Sequence, residues 1–363
     1  MVYDEENNFT FNNSSIVMSD GFAGRAREPV TPELSLNDAI TRAFNFNNTV
    51  KKAAKQVDLA EVERDQREKD LGYIAGGATG EPMGESAYAG LLSANLTWRM
   101  SGRNLTAAQD ALTLSVCDRY WAVQLAENNL QVAQLALRQA NMDLNKARAY
   151  HAVGMTAADV LLAAETQQAA AKYTLEKAQN DVAAAYTAFN QLVGLWAEDR
   201  PVLTDELSFT PLDDVNLDVL VARVLDDSPM VWQADQRVEL QKHLKDLMFY
   251  TGSYQPYDAR VIEMTQVELD ALSAREATEI LTRNMYYGVR SLEVSYPAAV
   301  QAVKLAEENL RVGQVKYEVG MATSTDVIAL EAALAQTQQN LLELMKNHAY
   351  YVLALEKPWA VQG

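Results

Sequence analysis

Cysteine, histidine and positive charge are scarce in this chain, and long apolar runs are missing from it, so several functions fall away before any motif is read. Cys117 is the only cysteine, which excludes an intrachain disulfide and a thiolate metal cluster. Its place in the helical run 107–150 reads as a buried apolar thiol. The three histidines, His151, His243 and His348, are scattered, with no other histidine or cysteine three or four residues away, so a histidine metal site has little support. His348 shares the heptad position of Leu341 and Leu355 and reads as a half-buried seam residue. Lys and Arg number 31 against 49 Asp and Glu, a formal charge of -18 that repels phosphate backbones and argues against nucleic-acid binding. An acidic wall suits cations, basic partners or a water-filled passage. Nowhere do about 18 apolar residues run together, so no membrane-spanning helix is expected. The glycine-rich Gly76-Gly77-Ala78-Thr79-Gly80 lacks the Lys-Ser/Thr ending and preceding strand of a phosphate loop. No cofactor is expected, and the chain does not read as an enzyme. The first 30 residues do not form a secretory signal, so an exported protein would carry its signal upstream of them.

What the chain does have is an internal duplication. Ala140-x3-Leu144-x2-Ala147-x5-Val153-Gly154-Met155 is repeated as Ala306-x3-Leu310-x2-Gly313-x5-Val319-Gly320-Met321. Each copy reaches an Asp-Val pair, Asp159-Val160 and Asp326-Val327, and then a long Ala/Leu/Gln-rich helical run. A helix, a tight glycine turn and a returning helix, present twice, specify a rod built from antiparallel hairpins. The heptads agree. Val123, Leu130, Leu137 and Leu144 stand seven apart, as do Ala126, Ala133, Ala140 and Ala147, pairing a large core residue with alanine so that backbones approach closely. Leu161, Leu175, Val182 and Phe189, with Ala164, Ala171, Ala178, Ala185 and Leu192, continue the seam on the returning helix. A second apolar line, Leu125, Val132, Leu135 and Met142, requires neighbours on another side.

The organisation that follows is mainly α. Residues 1–33 read as a flexible lead-in. The first repeat spans 34–196 and contains a helix, a short β or loop region at 71–103 and a helical hairpin. Within it, Leu91 to Met100 alternates apolar and polar residues and reads as one short strand, and Pro82 reads as a helix terminator. A connector covers 197–216. The second repeat spans 217–357, with a loop at 250–266, a return of helical character near Val267 and a kink expected at Pro297. A tail, 358–363, closes the chain. The early helices also correspond, since Asn48-Thr49-Val50 matches Pro229-Met230-Val231 at an offset of 181.

The duplicated order of these features, with a short segment leading into Ser101-Gly102-Arg103, resembles the TolC-type outer-membrane efflux family over about residues 35–356. The resemblance implies a homotrimeric tunnel, with a β-barrel in the outer membrane above a helical barrel projecting into the periplasm. It further implies a periplasmic adaptor and an inner-membrane transporter as partners. Val153-Gly154-Met155 and Val319-Gly320-Met321 then correspond to adaptor-docking tips, and Asp159 and Asp326 to acidic residues at the tunnel mouth. A further acid expected one turn after Asp326 is Ala329 here, and the first tip is one residue shorter than the second.

The same residues have plainer roles open to them. Gly154 and Gly320 supply positive φ between antiparallel helices whatever else they do, and a carboxylate just after a turn can cap the next helix. A membrane barrel needs strands of about 9–11 residues, and the sequence offers one credible strand in the first repeat and none in the second. Two readings therefore stand: a passive conduit of the cell envelope, or a barrel-less, non-conducting scaffold with the same hairpins. The second would make little or no membrane contact.

Overall fold

The computed structural model describes residues 32–72, 80–213 and 215–362. The two halves repeat one another element by element. Helix α1, Leu36–Phe46, starts at Ser35, whose hydroxyl accepts the Asp38 N–H at 3.1 Å. Its counterpart α5, Leu217–Asp227, starts at Asn216, whose side chain accepts from Asp218 and Val219. Each then breaks at a polar residue that caps the next helix. Asn47 accepts the N–H of Thr49 at 2.8 Å and opens α2, Asn48–Gly72, while Ser228 accepts that of Val231 and opens α6, Pro229–Lys245. The long members follow: α3, Pro82–Ala152, returns through α4, Ala158–Val193, and α7, Tyr257–Glu318, returns through α8, Ser324–Glu356.

At 1.5 Å per residue, α3 is about 105 Å long and α7 about 93 Å. Helix α3 is the spine, packing against α2, α4, α6 and α8. The protein is accordingly a rod. It exposes 22590 Å², against about 14,500 Å² for a compact chain of its mass.

The expected seam is present. Val123, Ala133, Ala140, Leu144 and Ala147 are buried on α3, as are Ala178 and Phe189 on α4. Gly313 holds the position of Ala147 in the second repeat, where a side chain would crowd the facing helix. A Cβ at Gly313 would lie 2.2 Å from Leu330 Cδ1 on α8.

The thickest packing lies midway along the rod. Tyr120 is fully buried, edge-on to Phe189, and its hydroxyl donates to the Leu34 carbonyl at 3.1 Å while accepting the Asp205 N–H at 3.0 Å. That one hydroxyl ties the chain's entry to its connector, next to a two-residue parallel pairing of β1, Glu33–Leu34, with β2, Val202–Leu203. Cys117 lies in this core, and burial pushes its thiol pKa up to about 12, so it is inert rather than reactive.

Four expectations are corrected. Residues 91–100 are not a strand but part of α3, and Pro82 begins that helix, where its missing N–H costs nothing. The alternation misleads because α2 and α6 flank α3 here and half-bury several of its sides at once. The loop placed at 250–266 is shorter: α7 begins at Tyr257, and only residues 246–256 are irregular. Glu33 is paired in β1 rather than lying in a free lead-in, while 1–31 and the glycine-rich 73–79 lie outside the described residues. In the tail, Pro358–Gln362 form a 3-10 helix, anchored where Lys357 and the Trp359 indole both donate to Asp110.

His348 is more deeply placed than half-buried. It is 2% exposed, tilted against Phe209, which stacks at 3.6 Å on Tyr296. Beside it, Glu293 accepts from the Leu212 N–H and from Arg290, with His348 Nε2 at 3.5 Å, so the connector is latched to α7 and α8. Burial alone would raise the Glu293 pKa, but these donors outweigh it and hold the carboxyl below its ordinary 4.5. A depressed folded pKa stabilises the fold above the ordinary value, and that contribution is lost as pH falls through the folded one. In denaturant titrations, Glu293→Gln should therefore be less stable than wild type near pH 7, and the gap should narrow as pH falls below the ordinary 4.5 and the carboxyl protonates. A gap independent of pH would remove the carboxylate from the latch.

Candidate functional site

Both glycine turns are built by the same backbone device. At the first, the Gly154 N–H donates to the His151 carbonyl at 3.0 Å and the Met155 N–H to Tyr150 at 2.9 Å. At the second, Gly320 donates to Tyr317 at 3.0 Å and Met321 to Lys316 at 2.7 Å. This is the Schellman pattern, in which a left-handed residue just past the helix lets two N–H groups reach back to its last free carbonyls, and Gly154 and Gly320 both have φ of 75°. The turn directs its flanking apolar residues outward. Val153, Met155, Val319 and Met321 are all roughly two-thirds or more exposed, with Met321 at 77%.

The two tips lie at one end of the rod. Helix α3 packs along α8, and Lys146 of α3 lies near enough to Asp326 of α8 to influence its ionisation. Arg148 pairs with Glu165 at 3.5 Å across the first hairpin. The end thus presents two apolar knobs in a setting of alternating charge.

The two acids after the turns are not equivalent. Asp326 completes a capping box: its carboxylate accepts the Thr323 N–H at 2.8 Å, and Thr323 Oγ1 accepts the Asp326 N–H at 3.3 Å. The Thr323 N–H, the Thr323 hydroxyl and nearby Lys146 together lower its pKa. Asp159 has no such partner. Helix α4 has Ala157 as its N-cap residue, which offers no side-chain cap, and among the described residues the Asp159 carboxylate accepts only the adjacent Val160 N–H at 2.9 Å. The missing residue in the first tip explains this, because it moves the acid from the third helical position to the second. Thr323→Ala should accordingly cost about 1 kcal/mol in chemical denaturation, whereas Ala157→Thr should gain a similar amount. Equal and negligible effects would show that neither cap limits stability.

Sequence reading missed Tyr150 and Tyr317, which are exposed and whose carbonyls accept the turn N–H groups. The signal was available, since a tyrosine stands just before each Val-Gly-Met at spacings that differ by one. Thr156 Oγ1, enclosed by the first turn, has no hydrogen-bond partner among the described residues. Those residues also contain no cluster of three or more metal-ligating side chains.

No family model and no curated protein matches this sequence. Solved structures do match its fold. CusC, described with respect to folding and transmembrane channel formation, superposes with a TM-score of 0.64 at 14% identity, covering 91% of this chain and 93% of CusC. The outer membrane protein VceC from Vibrio cholerae gives 0.62 at 16% identity, over 90% of this chain and 96% of that one. The MtrE outer membrane channel of Neisseria gonorrhoeae gives 0.61 at 16%, over 93% of both. The chain thus has the fold of TolC-type outer-membrane efflux channels, as its repeated pattern suggested.

Proposed function

We propose that three copies of this chain close into a helical conduit of the cell envelope, serving efflux or export, with the glycine-turn end as the docking point for a periplasmic adaptor. The observation that carries this reading is a stripe on α7. Ile262, Leu269, Ile280, Tyr287, Val294, Leu305 and Val312 follow one another in steps of seven and eleven residues, and every one is exposed in the single chain. Those steps average close to the helical repeat, so all seven share one face along nearly the whole helix. An apolar face of that length on an otherwise acidic rod is suited to burial against a neighbouring copy. Three copies would supply six hairpins, and the fold shared with known channels supports a ring.

A second reading is favoured by the opposite end. Residues 246–256, which join α6 to α7, are too short for two membrane strands of about 9–11 residues. They are instead knotted down: the buried Glu85 carboxylate accepts the Phe249 N–H at 2.6 Å and the Gly80 N–H at 2.9 Å, and Arg260 donates to the Leu247 carbonyl. This suits a barrel-less scaffold or interaction rod. Reconstitution of the purified protein into planar bilayers separates the two. Discrete conductance steps would favour a membrane-inserted conduit, and an intact oligomer that leaves the bilayer silent would favour the scaffold.

A further inference from the structure

Two indoles and two guanidinium groups, Trp98, Trp232, Arg99 and Arg103, line one cleft between α2, α3 and α6, in a chain whose formal charge is -18. The Arg64 guanidinium of α2 lies 4.1 Å from the Trp98 ring centre, while Arg99 and Arg103 of α3 lie 5.1 and 5.2 Å from that of Trp232 on α6. Between them is an open cleft of about 330 Å³, floored by Gly102 and Val57. That volume is within the range of small-ligand sites.

Packing alone does not account for its composition. Gly102 sits inside a 71-residue helix, where glycine is disfavoured, yet a Cβ there would meet nothing within 4 Å. No neighbour requires the glycine, and its effect is to keep the cleft open. Arg64 is engaged by Asp65, but Arg99 has one hydrogen bond, to Gln236 Oε1 at 2.8 Å, and Arg103 has no hydrogen-bond or ion-pair partner among the described residues. Guanidinium groups held against indole faces are oriented and partly desolvated without being neutralised, which strengthens their attraction for an anion.

We propose that this cleft binds a small aromatic carboxylate, its ring in the space above Gly102 walled by Trp98 and Trp232, and its carboxylate taken by Arg103 with help from Arg99. A planar fork matches a carboxylate with two parallel hydrogen bonds, and the indoles supply flat apolar walls. The site is independent of whether the rod conducts.

Isothermal titration of the full chain with 2-naphthoate tests this, with 2-naphthamide as the uncharged twin and inorganic phosphate as a ringless anion. We expect saturable binding of one naphthoate per chain, weakened about tenfold or more by Arg103→Gln, by Gly102→Val, and by exchanging acid for amide. Arg103→Lys, which keeps charge but loses the fork, should fall between. Both arginine variants alter an exposed side chain, and circular dichroism would verify that helix content is retained. No saturable binding, equal affinity for acid and amide, or an unchanged affinity in Arg103→Gln would overturn the proposal. Displacement of naphthoate by phosphate at comparable concentrations would overturn the aromatic assignment.

Discussion

Ile280→Lys combined with Val294→Lys should convert the assembled protein to monomers without unfolding it. Both side chains lie on the exposed stripe of α7, Val294 at 81% and Ile280 at 60%, so neither supports the fold of the single chain. Burying such a side chain against a neighbour contributes roughly 1.5–3 kcal/mol, and a lysine there would also have to shed water or hold the interface apart. Two substitutions therefore weaken each interface by about a hundredfold or more. Sedimentation velocity across a dilution series would show the loss of association, and the thermal midpoint of the monomer should stay close to that of wild type diluted to the same state. Unchanged association in the double variant would remove α7 from the interface.

Gly194→Ala should have the largest effect on the stability of the chain itself. Gly194 ends α4 at φ 68°, with its own N–H donating to the Asn190 carbonyl and the Leu195 N–H doing the same at 2.9 Å. A side chain costs roughly 1–2 kcal/mol in that left-handed conformation. Here it would also meet Phe46, since a Cβ would lie 2.3 Å from the ring, adding about 1–3 kcal/mol of crowding. The junction has few alternatives, because Arg42 donates to the Val193 carbonyl at 2.9 Å and fixes the same corner from α1. Chemical denaturation should show a loss of about 2–5 kcal/mol, the sum of those two costs. Phe46→Ala in the same chain should recover the crowding part and leave the backbone part, a result a simple loss of helix propensity cannot give.

Much of this was legible in the sequence because it is periodic. The heptads around Ala133, Ala140 and Ala147, the two Val-Gly-Met turns and the correspondence of Asn48 with Pro229 are short-range patterns, and short-range patterns report helices and their ends directly. The error at 91–100 has a physical origin of the same kind. A helix with one buried face shows a 3.6-residue period, but Trp98 and Met100 are half-buried beside Leu96 because neighbours lie on more than one side, and the period is lost. The latch of Glu293 with Leu212 and His348, and the Tyr120 hydroxyl joining Leu34 to Asp205, join residues 55 to 86 apart in sequence. Nothing local marks such partners. At the tips the turn residues were readable, whereas the inequality of Asp159 and Asp326 depended on one missing residue whose effect on capping only the geometry displays.

Copies of this rod should close around a passage with all their glycine turns at one end. Single-particle electron microscopy of the purified full chain tests it most directly. The expected particles are closed rings of three chains, about three times 40.2 kDa, with α7 of each copy at an inter-chain contact and six hairpin tips at the same end. Isolated rods, or assemblies whose tips point in opposite directions, would contradict it.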